Sequence, residues 1–568
     1  MPRVSRPVFE RPLPRRRFLQ AGGVLAVQAA LGDWRDLAAL ARPPLDLLLV
    51  GGRIIDGTGA PPFDADVGIR DGRIVALERL PDASAHRTID VGGRIVAPGF
   101  IDIHGHTDLG IFVDNRADSK IRQGVTTEVV GQDGSSVMPV DDRMRSARRD
   151  RYRERYGVDV DPADWEDLFA ALESRGMLAN FVTMVGSGTV REVVVGESDR
   201  APSAEELRAM VELVERGLAA GAAGVSSGLE YVPNAFASTD ELAALARPAA
   251  AAGLPYATHM RSEADAVEEA LAEAIAVAEA AGGPLQVSHL KAQGRRNWPK
   301  AERLLATLER LAADRPVRFD RYPYTAYSTG LSSLFPAWAK DGGTEAFLAR
   351  LADPAEDGRL RAAVDEKIAM MGDWDAIQIV DVGPDGPRDA VGRRLGGYAE
   401  ERGADPYEVT VEILTASRNR SGIVGHGMSE ENTTRFLAHP LGVICSDAGA
   451  RRTSGPLSEG APHPRAYGSY PRVLGKYVRE ERAMSLPDAV RKMSGLPAEI
   501  LHLSDRGVVA VGKAADLVVF DPATVADTAT FEAPHSYPVG IPHVIVGGEV
   551  VVEDGEPAGL RPGRVLAG

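Results

Sequence analysis

The two ends of this chain are written in one pattern, and that pattern limits its architecture more than any other feature. "VGGRIID" near the start and "VGGEVVVED" near the end each set a strand, a Gly-Gly turn and a second strand in the same rhythm. "DADVGIRDGRIVAL" and "RTIDVGGRIVAPGF" continue the texture at the front, and "GVVAVGKAADLVVFDP" continues it at the back. Such β-formers broken by Gly-Asp and Gly-Gly turns read as short antiparallel strands. We read residues 42–98 and 500–568 as one small β-sandwich assembled from both ends. Between them, over 99–499, apolar strands alternate with amphipathic helices, the mark of a parallel sheet with crossover helices. "SAEELRAMVELVERGLAAG" opens on a capping box, Ser203 to Glu206, and the helix after Ser262 stops at Gly282. Roughly 400 residues of this alternation predict an α/β fold, a (β/α)8 TIM-like barrel with insertions. Nine segments compete for its eight strands: "GFIDIH", "GVTTEVVG", "NFVTMVG", "AGVSSGL", "PYATHM", "PLQVSH", "VRFDRYPY", "SGIVGH" and "GVICSD". An inserted lid is expected around 297–373.

The first 41 residues stand apart from that architecture. "PRRRFLQAGGVLAVQAALG" carries Arg15, Arg16 and Arg17 before Phe18 and Leu19, then a mildly apolar run and a small-x-small site at Ala39-Leu40-Ala41. This resembles a twin-arginine export signal, which predicts the export machinery as a partner and a periplasmic or secreted product. The run falls short of the roughly 20 residues of a spanning helix, and no later stretch reaches it, so no stable membrane span is expected. A formal charge of -16 over 568 residues argues against nucleic acid, which needs a basic face. The one cysteine, Cys445, excludes an internal disulfide and a thiolate-rich metal cage.

The chemistry sits at strand ends. In "GFIDIHGHTDLG" His104 and His106 lie two residues apart and so project to one side of an extended chain. They close the first barrel strand, at the face where such barrels place their chemistry. Two imidazoles so placed can share a divalent cation at about 2.0–2.1 Å each. His259 ends "PYATHM", His289 ends "PLQVSH" and Asp447 ends "GVICSD". Desolvating each of these polar groups separately would be costly, whereas one shared cation accounts for them together.

The HxH, His, His, Asp series resembles the amidohydrolase superfamily, and "GLEYVPNAFAST", "DRYPYTAYST" and "PHPRAYGSYPRVLGKYVRE" are similar to its D-aminoacylase (N-acyl-D-amino-acid deacylase) branch. The resemblance runs over nearly everything from Leu45 onward. It implies that His104, His106 and Asp447 surround one metal position and that His259 with His289 holds a second, with Zn2+ as the cofactor, one or two ions. Many relatives bridge two metals with a carboxylated lysine, but no lysine occurs here between Lys120 and Lys291. The D-aminoacylase branch uses instead a cysteine after the second strand. This chain departs there: "VVGQDGSS" puts Asp133 at that place, and we take Asp133 as a ligand, a harder donor than thiolate. Glu128 and Glu230 are weaker substitutes, and a plain turn at Gln132-Asp133-Gly134 is the structural alternative. His426, in "GIVGHGMSEEN", is expected to support or pack rather than ligate.

The implied reaction is hydrolysis of N-acyl-D-amino acids. Metal-bound water with its pKa lowered from 15.7 to about 7 would attack the amide, and Asp447 would serve as general acid and base. Tyr322 and Ser328 in "RYPYTAYST" and Arg465 in "PHPRAYG" match the family's region that contacts the substrate carboxylate, and Lys291, two residues past His289 on the same strand side, is expected to join them. Alternatives are an amidohydrolase acting on a dipeptide or cyclic amide, or a non-catalytic exported binding protein.

Overall fold

The computed structural model describes residues 44–116 and 118–567, so the expected export signal at 1–41 lies outside the described residues. Eight strand positions follow one another round a parallel barrel: Phe100–Asp102, Val125–Val130, Asn180–Thr183 continued by Val185–Gly186, Val225–Gly228, Tyr256–His259, Leu285–Val287, Val317–Arg321 and Gly442–Ile444. Each pairs in parallel with the next. The ring closes beyond the regular ladder: the Asp447 N–H donates to the His104 carbonyl at 2.9 Å, and the His106 N–H donates to the Ala448 carbonyl at 3.1 Å. Alternation sorts the strand side chains. Ile101, Val129, Val182, Ala257, Val443 and Cys445 fill the interior, while Val130, Val185, Val225, Tyr256, Val287 and Phe319 pack outward on the helices. The expected helix signals hold: Ser203 and Glu206 form a reciprocal capping box, and Gly282 ends its helix in the left-handed region at φ 84°.

"SGIVGH" is the candidate that does not enter the barrel. Gly422–His426 lies antiparallel between Ala326–Gly330 and Ile377–Asp381, in a separate three-stranded sheet. A short apolar run carries no information about which sheet it joins. The segment between the seventh and eighth strands is therefore larger than expected and displaced from 297–373. It begins after Arg321, and its sheet runs from Ala326 to His426. Lys300–Ala312, assigned to the insertion from sequence, is an ordinary crossover helix burying Ala301, Leu304, Leu305 and Leu308 on the barrel.

Five strands from the front of the chain (Leu45–Ile54, Phe63–Arg70, Arg73–Glu78, Ala85–Asp90, Ile95–Pro98) and four from the back (Leu517–Phe520, His543–Val546, Glu549–Glu553, Glu556–Pro557) join in one nine-stranded sheet. The seam is the antiparallel pairing of Ile95–Pro98 with Leu517–Phe520. Strand Leu45–Ile54 pairs first with Ala85–Asp90 and, past a bulge, with Ile95–Pro98, so the sheet folds over itself. Period-two alternation then serves both faces. Val96, Leu517, Val519 and Ile545 enclose the β domain's own core. Ile95, Ala97, Val518, Phe520 and Val544 pack with Phe100 and Val125, which begin the first two barrel strands. Among the described residues no helix is long and apolar enough to cross a membrane.

Candidate metal centre

All the expected ligands come to the carboxyl ends of barrel strands. His104 and His106 follow the first strand, Asp133 the second, His289 the sixth and Asp447 the eighth, while His259 ends the fifth. Asp133 lies at the middle of the cluster. Gln132 donates Nε2 to the Ile103 carbonyl at 2.8 Å, anchoring the loop to the first strand. Gly134 then turns at φ 74°, where a Cβ would meet the Gly228 nitrogen at 2.7 Å, so only glycine fits. The Asp133 carboxylate lies 3.4 Å from His104 Nε2, 3.6 Å from His106 Nε2, 3.4 Å from His289 Nε2 and 3.9 Å from His259 Nδ1. Asp447 Oδ1 lies 3.1 Å from His106 Nε2 and 3.6 Å from His104 Nε2. His259 Nδ1 and His289 Nε2 are 2.9 Å apart. Asp133, His289 and Asp447 hold left-handed backbone at φ 52°, 33° and 51°. Three such non-glycine residues in one cluster are strain kept by the surrounding fold.

The outward nitrogens have carboxylates behind them. His104 Nδ1 faces Asp320 Oδ1 at 3.3 Å, His259 Nε2 faces Glu230 Oε2 at 3.5 Å, and His289 Nδ1 faces Glu263 Oε1 at 3.0 Å. This pattern orients a metal-ligating imidazole and sets its tautomer. Asp320 and Glu263 were missed from sequence. Asp320 gives itself away as an acid inside a buried strand, and it also accepts the His289 N–H at 2.8 Å. Glu263 lies in irregular backbone four residues past His259, with no pattern to mark it.

The charges agree with a cation-seeking site. Burial alone would favour neutral His104, yet Asp133 and Asp320 overcome it and raise the imidazole well above its usual pKa. Burial pushes Asp133 up, but His104 and His289 hold it well below the carboxylate range. Asp447 behaves likewise: burial is outweighed by Arg465 first and His289 next, and its pKa is held down. The acids thus stay ionised against desolvation only because positive charge is close. His104, Asp133, His289 and Asp447 form a group whose ligand atoms lie within 4.8 Å of one another, and His259, Glu263 and His289 form a second.

An amidohydrolase family description matches residues 87–381 and 455–552, which is most of the chain. The chain belongs to the amidohydrolase family. D-aminoacylase of Alcaligenes xylosoxydans xylosoxydans is 37% identical over 524 residues, covering 92% of this chain and 98% of its own. The crystal structure of N-acyl-D-glutamate deacylase from Bordetella bronchiseptica, complexed with zinc and a phosphonate mimic of the tetrahedral intermediate, is 36% identical. It superposes with a TM-score of 0.78 and covers 93% of this chain and 100% of that one. A D-aminoacylase structure described for its binuclear metal centre, with one-metal activation and second-metal attenuation, gives a TM-score of 0.77 at 36% identity, covering 92% and 100%.

In this amidohydrolase a cavity of about 390 Å³ opens on the cluster and is lined by Lys291, Ser328 and Arg465. The two cations expected to meet substrate already have acid partners. Arg465 donates Nη1 to Asp447 Oδ2 at 2.6 Å and Nη2 to the Ser328 carbonyl at 3.3 Å. The Lys291 ammonium lies 2.5 Å from Glu263 Oε1 and 2.7 Å from His289 Nδ1. Ser328 gives its hydroxyl to the Ile423 carbonyl at 2.9 Å. Tyr322 is wholly buried under the Arg465 guanidinium, 4.7 Å from its ring centre, and its hydroxyl has no protein partner. Glu128 is away from the centre, accepting from Thr107 at 2.6 Å and facing Lys120 at 3.1 Å. His426 packs edge-on against Phe531, with ring centres 4.8 Å apart, and burial lowers its pKa to about 4.

Proposed function

We propose that this chain hydrolyses the amide bond of N-acyl-D-amino acids, releasing a carboxylate and a free D-amino acid, and that it holds one or two zinc ions. The observation that carries this reading is the convergence of His104, His106, His289, His259, Asp447 and Asp133 from five barrel strands on one cluster. The donor set suits zinc, which takes imidazole nitrogens and carboxylate oxygens. His104 Nε2 and Asp133 Oδ1 are buried without a hydrogen-bond partner, and both belong to that set. We assign all six residues as ligands. When bound, the cation polarises the scissile carbonyl and lowers the pKa of water.

The remaining work falls to side chains. Asp447 takes the proton of the attacking water and returns it to the leaving nitrogen. Its second oxygen is pinned by Arg465, which fixes the first toward the reaction centre. A carboxyl whose proton affinity is held down gives its proton up readily, which suits the second half of that task. The substrate carboxylate goes to the cavity wall of Arg465, Ser328 and Lys291; Tyr322, expected from sequence to contact it, is buried behind the Arg465 guanidinium and does not line the cavity. The twin-arginine pattern at Arg15 to Leu19 supports a periplasmic or secreted product.

Zinc-loaded enzyme assayed on paired D- and L-N-acetyl amino acids tests the activity. Turnover of the D series alone is expected; equal rates on both would remove the D assignment, and none would remove the activity. A reporter carrying residues 1–41 should appear in the periplasm, and should stay inside the cell when the paired arginines become lysines.

A further inference from the structure

A second cavity, of about 690 Å³, reaches the cluster at His106. Both cavities are lined by His106 and Ser135, so those two residues form the threshold between them. Two arms leading from one reaction centre correspond to the two halves of an amide, one on each side of the scissile carbonyl. The amino-acid half belongs with Arg465, Ser328 and Lys291 in the smaller arm under the reading above, on which this inference rests. The larger arm is then left for the acyl half. It is far roomier than an acetyl group requires.

The charge of that arm is uneven. Its apolar floor includes Val137, Val140 and Met144. Its acids are Asp108, which accepts the Gly131 N–H at 3.0 Å, and Glu192, which faces Arg143 at 3.3 Å. Arg148 is spent on the Val137 and Pro162 carbonyls at 2.8 and 3.0 Å. Arg151, exposed on the helix Asp142–Tyr156, lies 5.5 Å from the Tyr152 ring centre. Arg451 is half-buried, and among the described residues no carboxylate pairs with it or with Arg151. A half-buried guanidinium with five donors and no acid is built to receive an anion.

We infer that the cavity beyond His106 receives the acyl group, and that Arg451 with Arg151 selects acyl groups ending in a carboxylate, such as succinyl. Hydrolysis of such a substrate breaks one C–N bond. The hydroxyl of water goes to the acyl carbon and its hydrogen to the amine, giving a dicarboxylate and a D-amino acid.

The test compares N-succinyl, N-butyryl and N-acetyl derivatives of one D-amino acid on the zinc-loaded full-length enzyme. Butyryl matches succinyl in length but lacks the charge. A charge-assisted contact should raise kcat/KM for succinyl about tenfold over butyryl. Raising ionic strength should shrink that ratio, since partly exposed charges are screened. In the double variant Arg151→Gln, Arg451→Gln the ratio should fall to near one. Succinate should also compete with substrate more tightly than butyrate on the unaltered enzyme, a readout that needs no variant. Butyryl turned over as well as succinyl, with acetyl also active, would overturn this inference and leave the proposed function standing. Failure to cleave all three would end both.

Discussion

The two sides of the metal-competent cluster are held in place by different means. His104, His106 and Asp447 belong to the strands that close the barrel, and backbone hydrogen bonds tie them to one another at 2.9 and 3.1 Å. Behind them lies a buried ionic network. Lys120, fully buried, donates to Asp102 and to Ser446 at 2.6 Å each, and the Ser446 N–H donates to Asp102 at 2.9 Å. His259 and His289 come from neighbouring strands, but the groups behind them are side chains bordering the cavity: Glu263, Lys291, Gln293 and Glu230. Backbone and a buried network fix the first side; side chains that meet the substrate's space fix the second. The donor groups differ to match. One candidate group is His104, Asp133, His289 and Asp447, and the other is His259, Glu263 and His289, so His289 is common to both. Two bound cations would share His289 and draw on four and three candidate donors, so we expect the two positions to be unequal.

Chelation should have the largest effect, abolishing turnover, and one equivalent of zinc should restore most of it. A requirement for two equivalents, followed by equilibrium dialysis, would break the inequality of the two positions. Asp447→Asn tests the first side next. It is expected to lower kcat by roughly 10²–10⁴ while leaving much of the bound zinc in place, read by elemental analysis. A fully active variant would strip Asp447 of its proton-transfer role. Asp133 lies between both sides, so Asp133→Ala should cost zinc at both positions. Asp133→Cys should keep zinc and weaken manganese, because thiolate is the softer donor. Unchanged metal content in Asp133→Ala would leave that carboxylate as a turn residue only.

What was legible in the sequence follows the same division. His104, His106, His259, His289 and Asp447 could be found because each interrupts the end of an apolar run, a signal local to a few residues. The β domain could be found because its turns repeat at both ends. Asp133 stood out only against a family position, since "GQDG" alone is also a turn. The pairing of charges could not be read. Arg465 and Lys291 look like free cations, yet their acids stand 18 and 28 residues away, brought in by the barrel's closure. Nor does "SGIVGH" differ locally from a barrel strand; its place depends on Ala326–Gly330 and Ile377–Asp381 lying beside it.

The smallest effects should separate the two sides most finely. Asp320→Asn and Glu263→Gln each keep the shape of an acid behind a histidine and remove its charge. Substitutions of this kind cost about 10–100-fold in metal affinity or activity. Asp320 also accepts from the Gln286 side chain at 2.9 Å and from the His289 N–H, and His104 is additionally fixed by the barrel's closure. Glu263 carries more alone: it contacts Lys291, His289 and Gln293 together, at 2.5, 3.0 and 2.8 Å. Removing its charge leaves the Lys291 ammonium buried without its acid, free to compete for His289 Nδ1. Glu263→Gln should therefore fall at the upper end of that range and weaken the second zinc equivalent before the first. Asp320→Asn should fall at the lower end. Zinc titration of the two variants checks this, and a larger loss in Asp320→Asn would mean that side chains, not backbone, hold the first side as well.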